Sequence, residues 1–171
     1  MTKLPEGTLI INSFPKYDYL DVYSFKVKSD KKIDPGDIAA MVCTEGPEWA
    51  DTLLKIRNSV VKYIGLETGE GIDWRKAPSK ENRQPGGHFG FFEVKEIRDD
   101  EFMMGGEDKH LDFRVSAIVR PKDGYQEVFI ATIVKFNNIL GNLYFFPVKP
   151  FHCLIVKNTT KRIERKILTQ L

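Results

Sequence analysis

The sequence predicts an α+β fold, in which a curved antiparallel sheet is covered by a long C-terminal helix. Four strand-like runs follow one another between residues 88 and 136, and Asp123-Gly124 is a strong hairpin signal between the last two. From Leu140 onward, apolar residues recur at three- and four-residue steps, which is typical of a helix. The 171 residues fit a single domain, 1–171, large enough to hold a core without disulfides.

The first elements are a strand and a short helix. Residues 19–28, YLDVYSFKVK, are rich in aromatic and β-branched types and predict a strand. Asp34 is suited to cap the following helix, with Pro35 at its first position. Gly46 and Pro47 end that helix, so we expect it to be short.

A second helix and a long polar loop come next. The segment PEWADTLLKIRNSVVKYIG has an amphipathic spacing, and Gly65 is a natural stop. Residues 65–88 form a polar stretch of a length usually found in lids, binding loops or disordered segments. Trp74 is the large apolar residue of its second half, and it either closes a cavity mouth or anchors the loop to the surface.

The rest of the chain predicts an antiparallel meander and then a helix. The four runs are HFGFFEVKEI, EFMMGGE, HLDFRVSAIVR and EVFIATIVKF, joined by short polar connections. The helical spacing that follows is carried by Leu140, Leu143, Tyr144, Phe151, Leu154, Ile155, Ile163 and Ile167. Pro147 and Pro150 are expected to kink or interrupt this helix. Because lysine, asparagine and proline break the most apolar region, no membrane span is expected.

The charge is small overall and concentrated at one end. The net charge is +2, and residues 157–171 are strongly basic. Such a tail either touches nucleic acid or anionic lipid, or places cations in the last turns of a helix. No nucleic-acid-binding motif appears, so nucleic acid is not an expected partner. Cys43 and Cys153 lack paired spacing, which favours free thiols in a reducing compartment, and no signal-peptide pattern opens the chain, so we expect a cytoplasmic protein.

Polar residues alternate along one predicted strand. His110, Asp112 and Arg114 share a face of the run HLDFRVSAIVR, where they could hold a polar ligand head or perform acid–base chemistry. The alternative is a solvent-facing strip, because Leu111 and Phe113 are better suited to the inner face. Both interpretations remain open at this stage.

Two further residues are site candidates on the C-terminal helix. His152, in KPFHC, either faces His110 across a pocket or is satisfied by a backbone carbonyl. Tyr144 belongs to an aromatic set that supplies the core and could also line a pocket. The histidines and Asp112 lack the spacing of a metal motif, and no GxGxxG occurs, so neither metal nor cofactor is expected.

Several segments resemble a known family. GPEWADTLLKIRN, GFFEVKEIRDDEFMMGGEDKHLDFRVS and VKFNNILGNLYFFPVKPFH are similar to the bacterial domain of unknown function DUF2867, and the likeness extends over residues 18–167. That family resembles the START-like, polyketide-cyclase-like (SRPBCC) superfamily. The resemblance implies the helix-grip fold and, since most members bind lipids, sterols or polyketides, an apolar ligand.

Three functions follow as hypotheses. The first is a binding module that holds a small, mostly apolar ligand between the sheet and the C-terminal helix. The second is an enzyme of cyclase, dehydratase or hydrolase type that uses His110, Asp112 or His152 as acid and base. The third is an interaction domain, including a homodimer, that uses the basic tail or residues 144–146.

Overall fold

A computed structural model describes residues 2–29, 31–53, 55, 79–89 and 92–170 of the chain. Its elements follow in the order α1 (Leu9–Asn12), β1 (Tyr19–Val27), α2 (Pro35–Thr44), a 3₁₀ turn (Lys80–Asn82), β2 (His88–Phe89), β3 (Phe92–Arg98), β4 (Glu101–Glu107), β5 (Leu111–Lys122), β6 (Tyr125–Phe136) and the C-terminal helix (Ile139–Gln170). The predicted α+β class, with a curved antiparallel sheet and a long C-terminal helix, is confirmed. The architecture is consistent with a helix-grip-like fold.

Across the described residues, the sheet has six strands in the order β1-β6-β5-β4-β3-β2. Every neighbouring pair is antiparallel, and β5 and β6 pair along their whole length from Leu111↔Phe136 to Lys122↔Tyr125. The predicted hairpin joins them, and Gly124 takes the φ of +78° that the turn requires. The first strand of the chain therefore closes the sheet against the last one.

Each face of the sheet has its own cover. The helix face, as we call it, lies under α2 and the C-terminal helix, and its core includes Phe25, Val94, Met104, Val115, Ile130, Ile38, Ile163 and Ile167. The opposite, outer face lies under α1, and its core includes Val22, Met103, Ile118, Phe129, Ile133, Leu9, Ile10 and Phe14. Because strand side chains alternate, neighbouring residues of one strand belong to different cores.

Residues next to its start determine where α2 begins, as predicted. Asp34 is the N-cap and its carboxylate accepts a hydrogen bond from the Gly36 amide at 2.8 Å, while Pro35 occupies the first helical position. The second predicted helix is seen as helical backbone at residues 49–53 and 55. Its remainder and most of the loop, including Trp74, lie outside the described residues.

One strand prediction needs correction, and one helix was not predicted. The run HFGFFEVKEI is two antiparallel strands, not one, because His88 pairs with Glu93 and Phe89 with Phe92. The helix α1 was not predicted, since LIIN is too short to show a helical period. It is held instead by a distant residue: the Glu101 carboxylate accepts from the amides of Leu9 at 2.6 Å and Ile10 at 3.0 Å.

The C-terminal helix also departs from expectation. It is continuous from Ile139 to Gln170 and includes Pro147 and Pro150, so the two prolines do not interrupt it, and the kink stays a prediction. Both prolines lie on exposed positions, where water can satisfy the carbonyls that lose a helical partner. The first half contacts the sheet through Gly141 and Phe145, and the second half through Ile163 and Ile167. Four of the apolar residues that carried the predicted helical spacing, Leu140, Leu143, Phe151 and Leu154, are exposed to solvent.

Candidate functional site

A carboxylate lies buried between β1 and the C-terminal helix. Asp21 is fully buried on the helix face, and its Oδ2 accepts a hydrogen bond from the Tyr19 hydroxyl at 2.8 Å. His152 Nε2 lies 3.1 Å from the same oxygen, which is an ion-pair distance without hydrogen-bond geometry. One carboxylate oxygen is therefore approached by two side chains from two elements.

The other carboxylate oxygen of Asp21 has no hydrogen-bond partner in the described part of the chain. Asp21 Oδ1 is buried and accepts no hydrogen bond from the described residues, and the same holds for Thr132 Oγ1. Thr132 lies directly opposite Asp21 in the β1–β6 register, so both side chains share the helix face. His152 Nε2 is also buried and forms no hydrogen bond with the residues that the structure describes. We call Tyr19, Asp21, Thr132 and His152 the polar cluster.

Two tyrosines tie the cluster to the helix. The Tyr19 hydroxyl lies 3.1 Å from Cys153 Sγ, and the Tyr23 hydroxyl donates to the Cys153 carbonyl at 3.2 Å. Burial raises the pKa of Tyr19 far above its ordinary value, and the contacts with Cys153 and Asp21 act in the same direction. Burial also raises the pKa of Tyr23 to about 12. Both hydroxyls therefore keep their protons near neutral pH, and Tyr19 is a donor to Asp21.

Apolar and basic groups surround the cluster. Tyr19 packs with Phe145 at 4.9 Å between ring centroids, and Phe145 lies 5.4 Å from Phe136. Lys149 Nζ is 5.2 Å from the centre of the Tyr19 ring. The His152 side chain keeps 23% of its accessible surface, so the cluster reaches solvent on the side of the helix. The arrangement is a polar centre in an aromatic wall with one partly open edge.

The predicted strand residues lie on the outer face, away from this cluster. Asp112 accepts from Lys135 Nζ at 3.2 Å and from Asn137 Nδ2 at 2.8 Å. Arg114 is 7% exposed, donates to the Glu107 carboxylate and stands over the Phe14 ring. Both charged groups are fully engaged within the fold, and the sheet separates them from His152.

His110 belongs to a junction between β5 and the C-terminal helix. Its Nδ1 contacts the Asn138 side chain, whose Oδ1 accepts from the Gly141 amide at 3.1 Å at the start of the helix. A Cβ at Gly141 would lie 2.0 Å from the His110 carbonyl oxygen, so the helix approaches the strand as closely as glycine allows. The segments HLDFRVS (residues 110–116) and LGNLY (residues 140–144) therefore contact each other at the start of the C-terminal helix, and we call this contact the joint.

The remaining site candidates that the structure describes, His152 and Tyr144, lie on the C-terminal helix. His152 meets the carboxylate of Asp21, a partner that was not predicted, in place of His110 or a backbone carbonyl. Tyr144 is half-buried on the C-terminal helix. No group of three or more His, Cys, Asp or Glu that could hold a metal ion occurs in the part of the chain that the structure describes.

A signal for the missed residues is present in β1. In YLDVYSF, Tyr19, Asp21, Tyr23 and Phe25 alternate, so Asp21 stands on a face that is otherwise aromatic. A carboxylate on an apolar face is costly unless it is paired, which marks it as a candidate for function. Thr132 and Cys153 carry no such signal, because only the register and the helix packing bring them to Asp21.

An open cleft lies elsewhere. It has a volume of about 600 Å³ beside the β5–β6 hairpin, where Ile33, Asp100, Val119, Tyr125 and Gln126 are among its lining residues. Arg120 pairs with Asp100 beside it, and Gln126 binds the backbone of Ile33. These contacts hold the hairpin to the chain between β1 and α2 and do not reach the polar cluster.

Comparison with known proteins identifies a family. No curated protein matches the chain. A family model described as "Protein of unknown function (DUF2867)" matches residues 13–159, a range that contains β1, the whole meander and His152. Because that match covers most of the sequence, the chain belongs to the DUF2867 family.

Proposed function

We propose that this protein binds a small molecule with a mostly apolar body and a hydroxyl or amine head, held between the sheet and the C-terminal helix at the polar cluster. One observation carries the proposal. Asp21 Oδ1, Thr132 Oγ1 and His152 Nε2 are buried side by side and lack hydrogen-bond partners among the described residues. Each unsatisfied buried group costs about 1–3 kcal/mol, so the cluster favours any occupant that supplies partners.

The atoms of the polar cluster that lack hydrogen-bond partners among the described residues indicate which head group a ligand would need. Asp21 Oδ1 is an acceptor and requires a donor, because Oδ2 already accepts from Tyr19. Thr132 Oγ1 can donate and accept, so a ligand hydroxyl could donate a hydrogen bond to Asp21 and accept one from Thr132. The aromatic wall of Tyr19, Phe136 and Phe145 suits an apolar body.

The first test is native mass spectrometry of the purified protein, followed by solvent extraction. We expect a bound molecule in the wild type and in Asp112→Asn, and its loss in Asp21→Asn. The two substitutions are matched, because each removes one carboxylate from a buried or nearly buried site, but on opposite faces of the sheet. Equal retention by Asp21→Asn and Asp112→Asn would contradict the proposal.

A second test separates a ligand from a structural water. Thermal unfolding is measured with medium-chain primary alcohols and with the corresponding methyl ethers, which lack the donor. We expect the alcohols to raise the midpoint of the wild type more than the ethers do, and Asp21→Asn to abolish that difference. If neither series changes the midpoint, the cluster is filled by water alone.

The enzyme hypothesis keeps one specific observation. Asp21 and the Tyr19 hydroxyl stand against the imidazole of His152, and a carboxylate beside a histidine is an arrangement suited to acid–base chemistry. If an extracted ligand is converted over time by the wild type, His152→Gln should bind it without converting it. A ligand that the wild type returns unchanged would leave binding as the function.

A further inference from the structure

The exposed side of the C-terminal helix is unusually apolar along its first half. Ile139, Leu143 and Phe146 expose 85%, 67% and 77% of their surfaces, and Leu140, Phe151 and Leu154 expose about half. We call these six residues the apolar stripe. By length and composition this helix could cross a membrane, and only 11% of its most apolar 18 residues are buried, so it does not resemble the buried core helix of a globular domain.

The same side becomes basic along the second half. Exposed residues recur at steps of three and four along one line, namely Ile139, Leu143, Phe146, Pro150, Leu154, Lys157, Lys161 and Arg165. Lys157, Lys161 and Arg165 form no ion pair within the described part of the chain, whereas Lys166, off this line, pairs with Glu45. One continuous helix side, roughly 40 Å long, therefore carries an apolar half followed by a net positive half with three exposed cations and the partly exposed Glu164.

We propose that this side of the helix docks on the surface of an anionic lipid bilayer and lies in the interface without crossing it. The apolar stripe would enter the boundary between headgroups and acyl chains, and the three cations would meet anionic headgroups. The inference is independent of the proposed ligand, because it uses the side of the helix that faces away from Asp21.

Charge complementarity favours this occupant over a second copy of the chain. In a parallel pair of these helices, Lys157, Lys161 and Arg165 would face their own copies. In an antiparallel pair, they would lie against apolar residues. A pair restricted to the stripe would leave the cations without partners. An anionic surface satisfies both halves of the same face at once.

A membrane span is disfavoured by the opposite side of the helix. Phe145, Ile163 and Ile167 are buried against the sheet there, and His152 contacts Asp21. Crossing the bilayer would require the helix to leave the sheet and expose that core. Lying in the interface requires no such rearrangement, because the stripe already faces outward.

Flotation with vesicles tests the proposal on the full chain. The vesicles are phosphatidylcholine alone, or equal parts of phosphatidylcholine and phosphatidylglycerol. We expect the wild type to float with the anionic vesicles far more than with the neutral ones, and to be released partly by high salt. The joint substitution Lys157→Gln, Lys161→Gln and Arg165→Gln should weaken binding to anionic vesicles by on the order of a hundredfold.

Matched controls separate the site from general charge and apolarity. The joint substitution Lys3→Gln, Lys28→Gln and Lys80→Gln removes the same charge from exposed positions elsewhere and should leave flotation unchanged. Leu143→Ser with Phe146→Ser should abolish binding. The same change at the exposed apolar residues Trp49 and Ile97 should not. Because all of these residues are exposed, the variants are expected to fold, and circular dichroism checks this.

Three results would overturn the proposal. The first is a wild type that floats with neither vesicle. The second is equal flotation with both vesicles, which would remove the role of the cations. The third is a dimer in light scattering that Leu143→Ser with Phe146→Ser dissociates, together with no flotation, which would assign the apolar stripe to a second copy of the chain.

Discussion

On the outer face of the sheet, Glu101 is buried at 1% exposure and accepts hydrogen bonds from Leu9, Ile10 and Ser116. On the helix face, Asp21 is equally buried, yet its Oδ1 has no partner among the described residues. The two carboxylates lie on opposite faces of one sheet, on β1 and β4, and differ in how completely the described residues supply them with hydrogen-bond donors. A buried charge that the fold completes is structural, and one that it leaves incomplete is a candidate for function.

The largest effect should come from removing the satisfied carboxylate. Glu101→Ala deprives three donors of their acceptor and is expected to lower the free energy of unfolding by about 3–5 kcal/mol. Urea denaturation measures this, and hydrogen exchange at the Leu9 and Ile10 amides should accelerate as α1 loosens. Glu96→Ala, at an exposed position of β3, is the control and should change stability little. A small effect at Glu101 would show that α1 does not depend on this carboxylate.

A second prediction concerns the joint that sets the helix against the sheet. Gly141→Ala places a Cβ on the His110 carbonyl oxygen, and the backbone of β5 must move to admit it. After the gain in helix propensity, we expect a net loss of about 2 kcal/mol, measured by urea denaturation. Gly46→Ala is matched, because a Cβ there meets no atom within 4 Å and its φ is not positive. Equal stability of the two variants would mean that the joint is loose.

The buried hydroxyls of Ser116 and Thr132 allow the two faces of the sheet to be compared by single substitutions. Ser116 donates to Glu101 at 2.8 Å, so Ser116→Ala should cost about 1–2 kcal/mol. The Thr132 hydroxyl has no hydrogen-bond partner among the described residues, so the nearly isosteric Thr132→Val should stabilise the ligand-free protein by about 1 kcal/mol. Thermal unfolding of both variants, after solvent extraction of any bound molecule, measures the two signs. If Thr132→Val destabilises the protein, a structural water already satisfies the hydroxyl.

The sequence predicts the fold well where the determining contacts are local. The Asp34 cap and the Asp123-Gly124 turn are each decided within a few residues, and both were predicted. Helix α1 depends on Glu101, 91 or more positions away in the chain, so no local pattern reports it. The exposure of the apolar stripe could not be predicted either. Apolar residues at three- and four-residue steps indicate that a helix has an apolar face, but not whether that face packs against the sheet or faces solvent.

The site was less predictable, for a related reason. The alternation in HLDFRVS drew attention to Asp112 and Arg114, whose partners all lie within the fold. Asp21 could have been noticed as the acid among alternating aromatics of β1. Its lack of a partner could not be read from the sequence, because that depends on the β1–β6 register and on the side of the helix that carries His152.

The smallest predicted effect lies on the outer face and depends on pH. The hydrogen bond from Arg114 lowers the pKa of Glu107, and Lys95 adds to the shift. A depressed pKa means that the folded state binds the proton less readily than the unfolded state. The pair therefore contributes stability above the ordinary glutamate pKa and loses it as the pH falls through the lowered value. Because Glu107 is 56% exposed, solvent screening limits the contribution to a few tenths of a kcal/mol.

Urea denaturation midpoints measured down to acidic pH test this prediction. As the pH falls, the midpoint of Glu107→Gln should decrease slightly less than that of the wild type. Glu6→Gln, at an exposed position, should follow the wild-type curve. If the Glu107→Gln and wild-type curves coincide, the contact with Arg114 adds nothing to stability, and the outer face is held by Glu101 and its three donors without help from this surface pair.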